Sequence, residues 1–98
     1  MEIIDYIKRI KKPDSTQKII LFGSVARHAH RPDSDIDLIV MSNSPILKQE
    51  KKYWADIQWK IFEKYNVPVS FIVTNNLQNL ALGLQKEIKK DGEIIWEK

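Results

Sequence analysis

A chain of 98 residues has room for one domain and one core, and with no cysteine it has no disulfide framework to lean on. No apolar run approaches the ~20 residues needed to cross a bilayer, and the start, Met1-Glu2-Ile3-Ile4-Asp5-Tyr6, lacks the pattern of a signal peptide. The net charge of +3 raises the question of nucleic acid, but the lysines are spread out. Lys11-Lys12 and Lys89-Lys90 fall at expected helix C-termini, where the macrodipole favours cations, so a solvated face is the better reading. The expectation is a single cytoplasmic domain over residues 1–98, with neither a membrane nor a nucleic acid as partner.

Ile3, Ile4, Ile7 and Ile10 recur at helical spacing and predict a first amphipathic helix ending before Pro13. Pro13-Asp14-Ser15 reads as a turn. Strands are expected at Lys18 to Phe22 and Ile36 to Met41, separated by a short helix from Ser24 and a loop through Arg31-Pro32-Asp33. Ser44-Pro45 reads as an N-cap with proline at the first helical position, opening a long helix to about Tyr65 with Ile46, Leu47, Trp54, Ile57, Ile61 and Tyr65 on its apolar stripe. Val67 to Val73 is β-branched and aromatic, hence a third strand. Thr74-Asn75-Asn76 would cap one further helix carrying Leu77, Leu80, Ala81, Leu84 and Ile88, and Asp91-Gly92 would turn it into a last strand, Glu93 to Trp96. The order αβ(α)βαβαβ predicts an α/β (α+β) fold: a small mixed β-sheet with helices packed against it.

The chemistry concentrates between the first two strands. Gly23 ends an apolar strand and lets the backbone turn sharply beside a ligand. Ser24 then opens a helical turn whose free N–H groups would welcome a phosphate. Arg27, three residues on, lies on the same face of that turn, where it contacts phosphate or pairs with a carboxylate. Asp35 and Asp37 are separated by one residue, and in a strand such side chains point the same way, so their carboxylates repel unless a cation lies between them. Mg²⁺ prefers oxygen ligands and is typically held by one or two carboxylates plus substrate phosphates. His28 and His30 are too loosely spaced to name a zinc site. Asp33 reads as a loop-capping residue.

The run Gly23-Ser24, ten residues, Asp35-x-Asp37 resembles the signature of the nucleotidyltransferase superfamily related to DNA polymerase beta. The wording from Gly23 to Leu38 and the closing stretch from Lys86 to Trp96 are similar to the minimal nucleotidyltransferases (MNT), proteins often paired with a HEPN partner. The resemblance implies the nucleotidyltransferase fold, a nucleoside triphosphate (ATP first) as substrate, and Mg²⁺ held by Asp35 and Asp37 as the catalytic pair. Gly23, Ser24 and Arg27 would face the nucleotide. It implies transfer of a nucleoside monophosphate to a hydroxyl acceptor, which could be a protein.

Two departures from the family pattern matter. Active members are similar in carrying a third carboxylate on the next central strand, and the aligned position here is Ser70, which cannot act as a base near neutral pH. His28 stands where the family resembles itself in a glycine. The alternative function is therefore a nucleotide-binding, catalytically weak partner, such as the antitoxin of a HEPN/MNT pair. Trp59 falls opposite the long helix's apolar stripe and Leu82 lies off its own, so both are expected on the surface, where they could mark an interface with a HEPN-type protein or a second copy.

Overall fold

The structure, a computed structural model, describes residues 2–23, 36–43 and 45–98. Its elements are α1 (Glu2–Arg9), β1 (Thr16–Phe22), β2 (Ile36–Ser42), α2 (Lys48–Tyr65), β3 (Val69–Thr74), a 3₁₀ turn (Leu77–Asn79), α3 (Leu82–Asp91) and β4 (Glu93–Glu97). The strands form one mixed sheet in the order β3-β2-β1-β4. β1 pairs antiparallel with β2 and β4, and β2 pairs parallel with β3 through the α2 crossover that a parallel pair requires.

Alternation along the strands divides the core between two faces. On one, Ile19 and Leu21 of β1, Ile36, Leu38 and Val40 of β2 and Val69 of β3 pack with Ile3 and Ile7 of α1 and Trp54, Ile57 and Ile61 of α2. On the other, Ile20, Phe22 and Ile39 pack with Ile88 of α3, flanked by Met41, Ile72, Leu77, Leu80 and Leu84. Fully burying each such aliphatic chain contributes about 1.5–3 kcal/mol relative to exposure. Both central strands are covered on both faces, which is why β1 and β2 read as nearly unbroken apolar runs.

Most expected elements are present, with shifted ends. β1 begins at Thr16 rather than Lys18. The long helix does not begin at Pro45: its N-cap is Leu47, without a side-chain cap, and Leu47 is half exposed rather than on the buried stripe. Ser44, the expected cap, lies outside the described residues. In its place Glu50 in the first turn is buried, accepting hydrogen bonds from the Ser15 and Ser42 hydroxyls. At the other end Asn66 takes the left-handed conformation (φ 56°) and donates its N–H to Phe62 O, closing the helix where expected.

The single helix expected after Asn76 is two elements. The Asn76 side chain accepts from Gln78 N–H and caps the 3₁₀ turn, Leu80 is extended, and α3 restarts at Leu82. The Asn cap satisfies only a short turn, and the Gln85 amide donates to Leu80 O where helical bonds are missing. Gly92 follows α3 with ordinary φ, and its use is close approach: a side chain there would meet the Ile88 carbonyl and the Ile20 side chain. Trp59 (62 % exposed) and Leu82 (73 %) are on the surface as the helical phase predicts. Trp59 stacks on Phe62 at 6.0 Å between ring centroids. No helix of the described residues is long and apolar enough to cross a membrane.

Candidate active site

β1 and β2 meet at one end of the sheet, where Phe22 pairs with Asp37. The next residue, Gly23, is buried with φ +82°, a conformation that glycine adopts without strain and other residues rarely do. A Cβ built on Gly23 would lie 2.8 Å from Asp37 Oδ2, closer than real contacts allow. The glycine therefore has two reasons to be there: the sharp exit from β1 and the approach of backbone to a carboxylate.

Asp37 is the second residue of β2 and is half-buried. It lies between Ile36 and Leu38, which face α1 and α2, so its side chain is on the opposite face, with Ile39 and α3. Across the parallel ladder its partner is Ser70, which is exposed. Directly opposed residues share a face, so the Ser70 hydroxyl and the Asp37 carboxylate stand side by side.

Three of the five expected site residues, Ser24, Arg27 and Asp35, lie outside the described residues, and the structure brings together Gly23 and Asp37. His28, His30 and Asp33 also lie outside them. Among the described residues no group of three metal-ligating side chains occurs. What the described residues supply at this end of the sheet is one carboxylate, an oxygen donor of the type hard cations take, closely approached by the Gly23 backbone.

Two groups elsewhere titrate away from their ordinary values. Burial pushes the Lys12 ammonium down, although it donates to Lys8 O and Ile10 O and lies 4.5 Å from the Trp96 ring centre. Burial, then the neighbouring Tyr6, pushes the Tyr53 phenol up.

The chain is thus an α+β domain, a mixed sheet with helices on both faces and a glycine turn set against an aspartate at the strand ends. The chain belongs to the family described as Polymerase beta, Nucleotidyltransferase, whose model matches residues 2–98. A Methanocaldococcus jannaschii protein named "Putative protein adenylyltransferase" is 39 % identical over 80 residues, covering 74 % of this chain and 80 % of that protein. A second protein of that organism, with the same name, is 29 % identical over 83 residues, covering 82 % and 78 %. Among solved structures, a chain of one described as a toxin-antitoxin with AMP-PNP superposes with a TM-score of 0.70 at 22 % identity, over 99 % of this chain and 73 % of that one. Another, a tri-AMPylated Shewanella oneidensis HEPN toxin in complex with MNT antitoxin, gives 0.66 at 18 %, over 99 % and 71 %. These structures share the fold. The family makes this chain a nucleotidyltransferase, whose general reaction is transfer of a nucleoside monophosphate.

Proposed function

We propose that the chain transfers AMP from Mg²⁺-bound ATP to a hydroxyl of another protein, slowly because Ser70 stands where active relatives resemble one another in a carboxylate. The observation that carries this reading is the Asp37 carboxylate set between the positive-φ Gly23 and Ser70 at the ends of β1, β2 and β3. In this reading Gly23 and Ser24 hold the β and γ phosphates, and Arg27 adds a guanidinium to them. Asp35 and Asp37 hold the metal. Mg²⁺, when bound, neutralises triphosphate charge and orients the α-phosphoryl group. The acceptor oxygen bonds to the α-phosphorus, the bond from that phosphorus to the bridging β-oxygen breaks, and pyrophosphate leaves. The acceptor's proton passes to solvent, because the neutral Ser70 hydroxyl cannot take it. General-base assistance is commonly worth about 10²- to 10⁴-fold, so its loss slows transfer without abolishing it. The test is transfer of labelled AMP to a candidate protein with and without Mg²⁺, beside calorimetry of ATP binding. Equal ATP affinity in both conditions, or unchanged Mg²⁺ dependence in Asp35→Asn with Asp37→Asn, would overturn it.

A second reading has its own support. The neighbours described as toxin-antitoxin complexes and the exposed Trp59–Phe62 stack favour a nucleotide-binding antitoxin role with a HEPN-type partner. A HEPN-type reading frame beside this gene, and a complex on co-expression with its product, would decide for it.

A further inference from the structure

β3 and β4 are the two edges of the sheet, and they are built differently. β4 begins and ends in glutamate, and a register shift between Ile19 and Ile20 interrupts its pairing with β1. Charges and irregularities of this kind keep an exposed edge from recruiting other strands. β3, Val69-Ser70-Phe71-Ile72-Val73-Thr74, has no charge, proline or glycine.

The hydrogen bond from Ile36 N–H to Pro68 O sets the phase of the β2–β3 ladder. In a parallel pair of that phase Ser70, Ile72 and Thr74 turn their N–H and C=O groups toward β2, and Val69, Phe71 and Val73 turn theirs away. Among the described residues no strand takes these groups up. Beside them runs a groove of about 360 Å³ between α2 and β3, lined by Lys51, Trp54, Ala55, Gln58, Phe71 and Val73. The Trp54 indole N–H is buried and has no partner among the described residues.

We propose that the outer edge of β3 receives the acceptor protein as an added strand, resting on the transfer reading above. Unpaired groups on alternate residues form half a ladder, and extended backbone is the partner that completes it. Side chains of the added strand alternate between faces. Those opposite Phe71 and Val73 enter the α2–β3 groove and are apolar, and the one opposite Ser70 emerges on the face of Asp37 and carries the hydroxyl. Two strand spacings, about 10 Å, separate that residue's backbone from Asp37. The edge thus sets which acceptor residue meets the site.

The test uses the full chain without nucleotide or metal. Amide hydrogen exchange is followed by NMR, and the probe is a blocked heptapeptide of alternating threonine and valine. Val69 is buried, so in the free protein it is the Phe71 and Val73 amides that are expected to exchange at least tenfold faster than those of Ser70 and Ile72. The peptide should slow those two selectively and shift the Trp54 indole resonance. Val73→Pro removes an outward donor without removing a bond to β2, and should weaken the peptide at least tenfold, whereas Val73→Ala, which trims the same side chain in the groove and keeps the donor, should weaken it less. Peptide effects that map elsewhere or are absent up to its solubility overturn the proposal, as does native affinity in a folded Val73→Pro. So does protection of the Phe71 and Val73 amides in the free chain that rises with protein concentration, which would make a second copy the occupant. If Val73→Pro does not fold, the exchange pattern of the native chain still decides. Failure here leaves ATP and Mg²⁺ binding at Asp37 standing, and loss of that binding in Asp37→Asn leaves the strand-edge result standing.

Discussion

Asp37 and Ser70 face one another across the parallel β2–β3 ladder, on the side of the sheet that α3 covers. A carboxylate at position 70 would therefore enter the site and not the core, whereas its neighbours Val69 and Phe71 pack on the α1 and α2 side.

Ser70→Asp is accordingly expected to raise AMP transfer and to make stability depend on Mg²⁺. Opposed like charges destabilise a strand pair, so the melting temperature should fall without metal and recover with it. Thermal unfolding with and without Mg²⁺, beside labelled-ATP transfer, checks both parts. No change in either would remove Ser70 from the site.

Gly23→Ala should cost about 1–3 kcal/mol, the usual range for backbone held in a sparsely populated conformation, and should weaken ATP binding. Part of that cost is the contact with Asp37 Oδ2. In an Asp37→Ala background that contact is gone and the φ strain remains, so the penalty should be smaller. A double-mutant cycle by denaturant unfolding measures the difference, and strict additivity would mean that the two residues do not touch.

The sheet and the site's frame were legible in the sequence because apolar runs, β-branched strands and the Gly23 and Asp37 spacing are local signals. The pairing of Asp37 with Ser70 was not: Ser70 was singled out by its likeness to the family's third-carboxylate position, and the register belongs to the β2–β3 ladder, a tertiary contact. The long helix was entered too early because Ser44-Pro45 offers ideal capping chemistry, and what the start of α2 uses instead is a tertiary contact: Glu50 reaching Ser15, thirty-five positions away. A charged residue in a helix's first turn reads as surface, and nothing local says that two serines will enclose it. Likewise the periodic leucines from Leu77 to Leu84 concealed the break at Leu80, since both pieces present leucines to the same cluster.

Trp59 should be the quenchable tryptophan. Trp54 is 1 % exposed and Trp59 62 %. In a Trp54→Phe, Trp96→Phe background, iodide should quench the remaining emission strongly in the isolated chain and weakly in a complex with any partner that covers α2. Unchanged quenching in such a complex would place the interface elsewhere.

The Tyr53 phenol is raised by burial and then by Tyr6, so the folded chain keeps its proton over a range where the unfolded chain has lost it. That contribution to stability is complete below the ordinary phenol value near 10 and is lost as pH rises through the folded value. Absorbance titration should show a late-ionising phenol that Tyr53→Phe removes, together with a shallower decline of melting temperature above about pH 10. An unchanged titration curve in the variant would contradict the assignment.

Glu50 joins three segments: the turn before β1 through Ser15, the end of β2 through Ser42, and the first turn of α2 on which it sits. Both carboxylate oxygens accept a hydroxyl, and Ser42 and Glu50 are both buried. Removing one partner leaves a buried polar atom unsatisfied, so Ser42→Ala should cost about 1–3 kcal/mol. Glu50→Ala should cost at least as much, because it removes the acceptor of both hydroxyls together with a buried side chain, leaving Ser42 only its longer bond to Ser15 O. Glu50→Gln keeps the shape, and serine hydroxyls can donate to its oxygen and accept from its amide, so it should be the mildest of the three. Ser42 and Asp37 lie at opposite ends of β2, about 17 Å apart by strand rise. Denaturant unfolding should thus show the order Gln, then Ser42→Ala, then Glu50→Ala, while ATP affinity measured well below the melting temperature stays at the native value. Lost affinity in a folded Glu50→Gln chain would mean instead that this latch reaches the site through β2.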